Sequence, residues 1–322
     1  MWRLVFLAVV ALGLAPGTWV RTPLKEPDFR NLLSITPVEA GTQKIGELDV
    51  LGLWELDSKN THFGSYSALI MLDDGTLLAG SDRGRLLQFS PPGSTDQTVV
   101  RFTAFAGASD RDKDEVDLES LTRDPATGTI WAGYESSNAI ARVSPELMEE
   151  KRVRPAEMRR WSSNSGPESL VRLADGRFLV IAEGNPTSDG SGIPALLFAG
   201  DPTLGGDPLE FQFNAPEGYR AVDAAQLPDG RVLVLVRRVA FGIPPGFEAA
   251  LVLADPAEID QDGDWSGQQI AWLGSPLPSD NFEGLAVVPQ TDGGAILWMI
   301  SDDNNGALQR TLLYKLRIPA GI

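Results

Sequence analysis

A short, mostly acidic string returns along the chain at nearly regular intervals: Asp117-Leu118-Glu119-Ser120-Leu121, Gly166-Pro167-Glu168-Ser169-Leu170, Ala221-Val222-Asp223-Ala224-Ala225 and Asn281-Phe282-Glu283-Gly284-Leu285. A degenerate copy, Ser65-Tyr66-Ser67-Ala68-Leu69, precedes them. With Leu69, Leu121, Leu170, Ala224 and Leu285 equated, the steps are 52, 49, 54 and 61 residues. A repeat of roughly 40 to 50 residues that reads as strand throughout specifies an all-β propeller rather than a helical solenoid. In a closed ring, a carboxylate at one radial position of most blades converges on the central axis.

Each unit follows one grammar. An apolar strand after the string ends at Asp74-Gly75, Thr127-Gly128, Asp175-Gly176 or Asp229-Gly230, pairs that make tight hairpins. A second strand returns (77–80, 130–134, 178–182, 232–236, 296–300) and a third follows (86–89, 140–143, 195–198, 250–253, 312–316). A more polar fourth strand is expected near 97–105, 153–161, 208–213 and 267–273 in the first four units. The fifth unit has three strands, and the segment Gly46 to Leu56 has no unit of its own. It is therefore expected to supply the fourth strand of the last blade, giving five four-stranded blades without an exposed edge.

The chain begins with Met1 to Arg3, an apolar run from Leu4 to Leu14, and small residues near Ala15 to Gly17. That pattern reads as an export signal, or as an anchor if uncleaved, and is short for a membrane span. The expected organisation is residues 1–20 as signal or anchor, 21–45 as an extended lead-in, and 46–322 as one propeller domain. A periplasmic or secreted monomer follows, touching a membrane only through an uncleaved anchor. With no cysteine, disulfides, thiolate metal sites and cysteine nucleophiles are excluded. The net charge of −17 lacks the basic footprint that nucleic-acid binding needs. One histidine rules out multi-histidine metal sites, and neither a P-loop nor a G-x-S-x-G elbow is present. Asp260 to Trp265 lacks the spacing and terminal Glu of an EF-hand, and reads as a polar turn.

The strand order brings three sets of loops to one surface. The acidic strings open the first strands there. The ends of the second strands add Asp82-Arg83, Glu135, Glu183, Arg237-Arg238 and Asp302-Asp303-Asn304. Interblade loops add His62 and the run Asp110 to Glu115, and Gln309-Arg310 arrive on the same side. The opposite face receives short turns and reads as bland. Like charges crowded on an axis repel, and a hard divalent cation with oxygen ligands relieves them. Glu119, Glu168 and Glu283 are the expected calcium ligands, with Ser67 and Asp223 as lesser contributors. In the competing reading each Glu instead bonds backbone amides of the next blade. Arg83, Arg237, Arg238 and Arg310 can present forks to a small anionic substrate, with His62 beside them, or can pair with Asp82, Asp302 and Asp303. Asp302 or Glu135 is the expected base for a metal-activated water.

The strings DLESLTRD, GPESL, NFEGLAVV and SDDN…LQRTLLYKL, with GSYSAL and SDRG, resemble the bacterial family called esterase-like activity of phytase, or phytase-like, from about residue 47 to 317. That resemblance implies an exported propeller related to phytases and phosphoesterases. The ring of Ser67, Glu119, Glu168, a blade-four position and Glu283 also resembles the central calcium site of five-bladed calcium-activated nucleotidases. No second metal cluster, of the kind that fills the clefts of six-bladed phytases, is legible. The expected activity is calcium-dependent hydrolysis of phosphate esters or related small anionic esters. The rivals are a binding propeller pinned by a structural ion and a lactonase-like hydrolase.

Overall fold

The computed structural model describes residues 26–322 apart from 96–97, 107–115, 185–191, 241–245, 262, 305 and 307–308. The export segment and the run Asp110 to Glu115 lie outside the described residues.

Five antiparallel sheets stand around an axis as the blades of a propeller. Blade one is Tyr66–Met71, Leu77–Ser81, Arg85–Phe89 and Val100–Ala104. Blade two is Leu118–Arg123, Ile130–Tyr134, Ala139–Val143 and Glu149–Val153. Blade three is Pro167–Arg172, Phe178–Ala182, Ile193–Phe198 and Leu209–Asn214. Blade four is Arg220–Gln226, Val232–Ala240, Gly246–Ala254 and Gln268–Leu273. Blade five is Asn281–Pro289, Ala295–Asp302 and Thr311–Ile318, and the N-terminal strand Leu48–Asp57 pairs antiparallel with Thr311–Ile318. Within the lead-in, Ser34–Pro37 and Lys44–Ile45 add to that N-terminal strand.

Each blade buries both faces, so its inner strands are apolar on both sides rather than alternating. Five apolar clusters fill the interfaces between neighbouring blades, including the one between blades five and one. Between blades two and three, Trp131 meets Phe178 edge-on with ring centroids 4.8 Å apart. Each such side chain contributes about 1.5–3 kcal/mol by leaving water.

Two details depart from the sequence reading. The fourth strand of blade two lies at Glu149–Val153, not near 153–161. A tight turn from Ser144 to Met148, with Leu147 at φ 64°, returns the chain early, and Pro155 cannot donate to a ladder. Asp260 to Trp265 is only partly a turn. Asp264–Ser266 pairs in parallel with the outer strand of blade three, burying Trp265 against Phe211 and Phe213.

The two ends of the axis differ. At the end where the inner strands finish, a cavity of about 720 Å³ opens, lined largely by apolar side chains such as Leu69, Leu121, Val171 and Leu285. This end was expected to be bland, and it holds a funnel. The end where the inner strands begin is acidic.

Candidate functional site

The acidic end is built by a defect that repeats. In every blade the pairing of the inner strand with the second strand slips by one residue, at Ser67, Glu119, Glu168, Val222 and Glu283. A β-bulge leaves its extra residue out of the ladder and re-aims the side chain. Here it selects the ring residue. Two further positions are equivalent in all blades. The residue two before the bulge is Ser65, Asp117, Gly166, Arg220 or Asn281, and its partner across the ladder, at the mouth end of the second strand, is Asp82, Glu135, Glu183, Arg237 or Asp302.

The bulge therefore places Val222, not Asp223, at the ring position of blade four. Asp223 is buried one place on, where its carboxylate accepts the N–H groups of Leu285 at 2.6 Å and Ala224 at 2.8 Å. It latches blade four to blade five. Ser120, at the matching position in blade two, does the same by donating to Pro167 O of blade three at 2.5 Å. Burial pushes the Asp223 carboxyl up while the Leu285 amide pulls it down.

Among the described residues, two triads of carboxylates each bring one oxygen per residue within 4.8 Å of the others. The first is Asp117, Glu119 and Glu135, all from blade two; the second is Glu135, Glu168 and Glu183, which joins blade two to blade three. The ring glutamates are thus separated: Glu119 and Glu168 enter different triads, and Glu283 enters neither. Gly166 makes the junction possible, because a Cβ there would lie 2.3 Å from Glu135 Cα.

The electrostatics are those of a site short of cations. Burial pushes Glu119 and Glu168 well above the usual carboxylate range, and the neighbouring acids push further, Glu283 on Glu119 and Glu119 on Glu168. Glu135 is pushed up to about 7 by burial and Asp117. Asp302 rises to about 8 through burial and Glu283. Ser67 bonds Glu119, Ser136 donates to Asp117, and Asn281 Nδ2 donates to Glu283 at 2.8 Å. Such acidic oxygens are what a hard divalent cation takes as ligands. Two groups fit that need: the Glu168 carboxylate has no hydrogen bond among the described residues, and the buried Asn281 Oδ1 has no partner.

Blade four inverts the charge. Arg220 and Arg237 occupy the two positions flanking Val222, where blade two carries Asp117 and Glu135. Arg237 meets Glu283 at 2.9 Å and Glu183 at 3.4 Å, and Arg220 meets Glu183 at 3.3 Å. Burial works against the charged Arg237, but Glu283 and Glu183 outweigh it and hold the guanidinium above its usual value.

The other candidates lie further out. Arg238 points away from Arg237, onto Glu248 at 2.6 Å and over the Tyr219 ring. Arg310 approaches Glu55 at 3.6 Å, and Arg83 lies 4.0 Å from Asp82. His62 meets the ring of Phe29 of the lead-in at a tilt, with centroids 5.3 Å apart, and burial followed by the Arg85 charge keeps its imidazole below its usual pKa. Of the sequence-derived set, Glu119, Glu168, Glu135, Glu283, Asp302, Ser67 and Arg237 share one electrostatic neighbourhood. Asp117, Glu183 and Arg220 join it without having been singled out as ligands or clamps. The signal for them was positional: two residues before the ring residue, and at the end of the second strand.

A family model described as "Phytase-like: Esterase-like activity of phytase" matches residues 61–305. No curated protein matches the sequence. Among solved structures, a luciferin-regenerating enzyme is 13% identical with a TM-score of 0.46, covering 91% of this chain and 92% of that one. Hydrazine synthase of Kuenenia stuttgartiensis is 13% identical with a TM-score of 0.37, covering 81% of this chain and 65% of the synthase. A protein of unknown function from Bacteroides caccae is 13% identical with a TM-score of 0.36, covering 73% of this chain and 92% of that one.

Proposed function

The chain belongs to the phytase-like family, and from that premise we propose that it is an exported, calcium-dependent hydrolase of phosphate esters or related small anionic esters. Family and fold together support a hydrolase-type function. The observation that carries the finer reading is the pair of carboxylate triads, each with one buried glutamate, beside two arginines at one axial mouth.

Glu119 and Glu168, with Asp117, Glu135 and Glu183, are the residues that would hold the metal. Calcium, when bound, supplies Lewis-acid polarisation of the ester and an acidified water. Arg237 and Arg220 supply fixed positive charge beside the acids, and a substrate oxyanion can share their forks with Glu183 and Glu283. Asp302 stands beside Glu283 and Asn281 as the group that takes a proton from the attacking water. Ser67 and Asn281 orient the ring carboxylates. The substrate is a small anionic molecule, not nucleic acid, and the protein acts as a periplasmic or secreted monomer, with membrane attachment only through an uncleaved N-terminal anchor.

A second reading, a binding propeller with a structural ion, is favoured by one observation: Arg83, Arg238 and Arg310 all lie beside carboxylates of their own surroundings. The test is a panel of p-nitrophenyl phosphate, p-nitrophenyl acetate and a small lactone, each with calcium and with chelator. Calcium-dependent phosphate-ester turnover lost in Arg237→Gln supports the hydrolase. Preference for the acetate or the lactone moves the substrate to carbon–oxygen esters. No turnover of any member, with calcium bound, leaves the binding propeller.

A further inference from the structure

We propose that the acidic mouth binds two divalent cations that share Glu135, one in the blade-two triad and one between blades two and three. This rests on the reading that the mouth binds metal at all, and it adds number and place to that reading.

The spacing within each triad suits one ion. A calcium ion 2.3–2.6 Å from its oxygens holds opposed ligands roughly 4.6–5.2 Å apart. Each triad presents three oxygens within 4.8 Å of one another, and only Glu135 belongs to both. Glu135 sits at the boundary because Gly166 of blade three has no side chain to displace it. A carboxylate has two oxygens, so one residue can serve two ions.

The charge count points the same way. One dication offsets two of the five carboxylates Asp117, Glu119, Glu135, Glu168 and Glu183, whereas a second leaves one in excess. That remaining acid has its counterion in place, since Glu183 is the member that meets Arg220 and Arg237.

Glu168 supplies the independent observation. Asp117 accepts from Ser136, Glu119 bonds Ser67, Glu135 accepts from the Gly166 backbone, and Glu183 has its arginines. Glu168 is only 6% exposed, and its carboxylate has no hydrogen bond among the described residues while facing Glu135 and Glu183. An unpaired carboxylate in that setting is expensive unless it coordinates a metal. A single ion in the blade-two triad would leave it uncompensated. A single ion in the second triad would leave Asp117 and Glu119 repelling each other. Two ions compensate both. Such a pair would grip an ester oxyanion from two sides, as two-metal hydrolytic centres do.

The experiment counts ions on the full-length protein. Chelator-stripped protein is dialysed against calcium, bound metal is measured per chain, and crystals soaked in manganese(II) are examined for anomalous density. Two ions per chain are expected. Asp117→Asn should lose the blade-two ion and keep the other, and Glu183→Gln should do the reverse. Glu135→Gln should weaken both at least tenfold. One ion per chain at saturation overturns the proposal while leaving the metal reading intact, and no bound ion overturns both. If Glu135→Gln fails to fold, the two single-site variants still decide: each should keep one ion per chain, with anomalous density in opposite triads, and density in the same triad in both variants, or none in either, contradicts separate sites.

Discussion

Blades two and four are built on the same repeat, with the same bulge and the same three axial positions, yet they carry opposite charge. Blade two places Asp117, Glu119 and Glu135 there; blade four places Arg220, Val222 and Arg237. Backbone geometry is therefore constant and chemistry is set by side chain alone. The comparison teaches that the ring is not a symmetric glutamate cage. It is a polarised mouth, with carboxylates gathered in blades two and three and guanidinium groups beside them in blade four. A symmetric ring would pin blades. A polarised one can hold a cation and an anion side by side, which is what metal-assisted ester hydrolysis requires.

The sharpest way to break this comparison is to remove the cationic half. Arg237→Ala leaves Glu283 and Glu183 buried beside a lost partner and should cost about 3–5 kcal/mol in chemical denaturation. Smaller unfolding, below about 1 kcal/mol, would mean that the acids do not depend on blade four. Next comes the residue beside the ring. Asp223→Ala strips an acceptor from the buried Leu285 amide and should cost about 1–3 kcal/mol without changing calcium affinity. A loss of calcium binding there would return Asp223 to the ligand set.

The acidic half should respond in the other direction. In chelated protein, Glu168→Gln removes a carboxyl whose ionised form burial and Glu119 disfavour, and should raise the melting temperature, while calcium binding weakens. The same repulsion fixes a pH trend. Glu135 and Asp302 titrate in the fold at about 7 and about 8, above their ordinary values of 4.5 and 3.8. Groups with raised values favour the fold most fully below about pH 4, and that contribution is lost as pH climbs through 7 to 8. The chelated protein should therefore melt lower at about pH 8.5 than at about pH 6, with calcium flattening the difference. A flat profile without calcium would contradict buried, mutually repelling acids. The smallest effect belongs to Arg238, whose partly exposed pair with Glu248 should contribute less than about 1 kcal/mol when Arg238→Ala is compared with wild type.

These contrasts also mark what the sequence could disclose. Five blades and the hairpin turns were legible, because a repeated acidic string, short apolar runs and Asp-Gly pairs are local signals. The ring positions Glu119, Glu168 and Glu283 were legible from the repeat. The bulge was not, since a one-residue slip between strands leaves no mark in composition. The repeat puts Asp223 one place from the ring position, and only the bulge shows that this one place takes its carboxylate out of the mouth and onto the Leu285 amide. Asp117 and Glu183 were visible as acids, but their convergence with Glu135 depends on how blade three packs against blade two through Gly166. The outward course of Arg238 follows from strand alternation beside Arg237 and was open to inference. The pairing of Arg310 with Glu55 required the N-terminal strand to be in place.

The most direct test is the melting temperature of chelator-stripped protein titrated with calcium, run beside the Glu119→Gln/Glu168→Gln double variant. A polarised metal-binding mouth predicts that wild type rises by about 5 °C once calcium reaches roughly a hundred times its dissociation constant, and that the double variant does not move. An unchanged wild-type melt, or an equal rise in both proteins, would contradict the account.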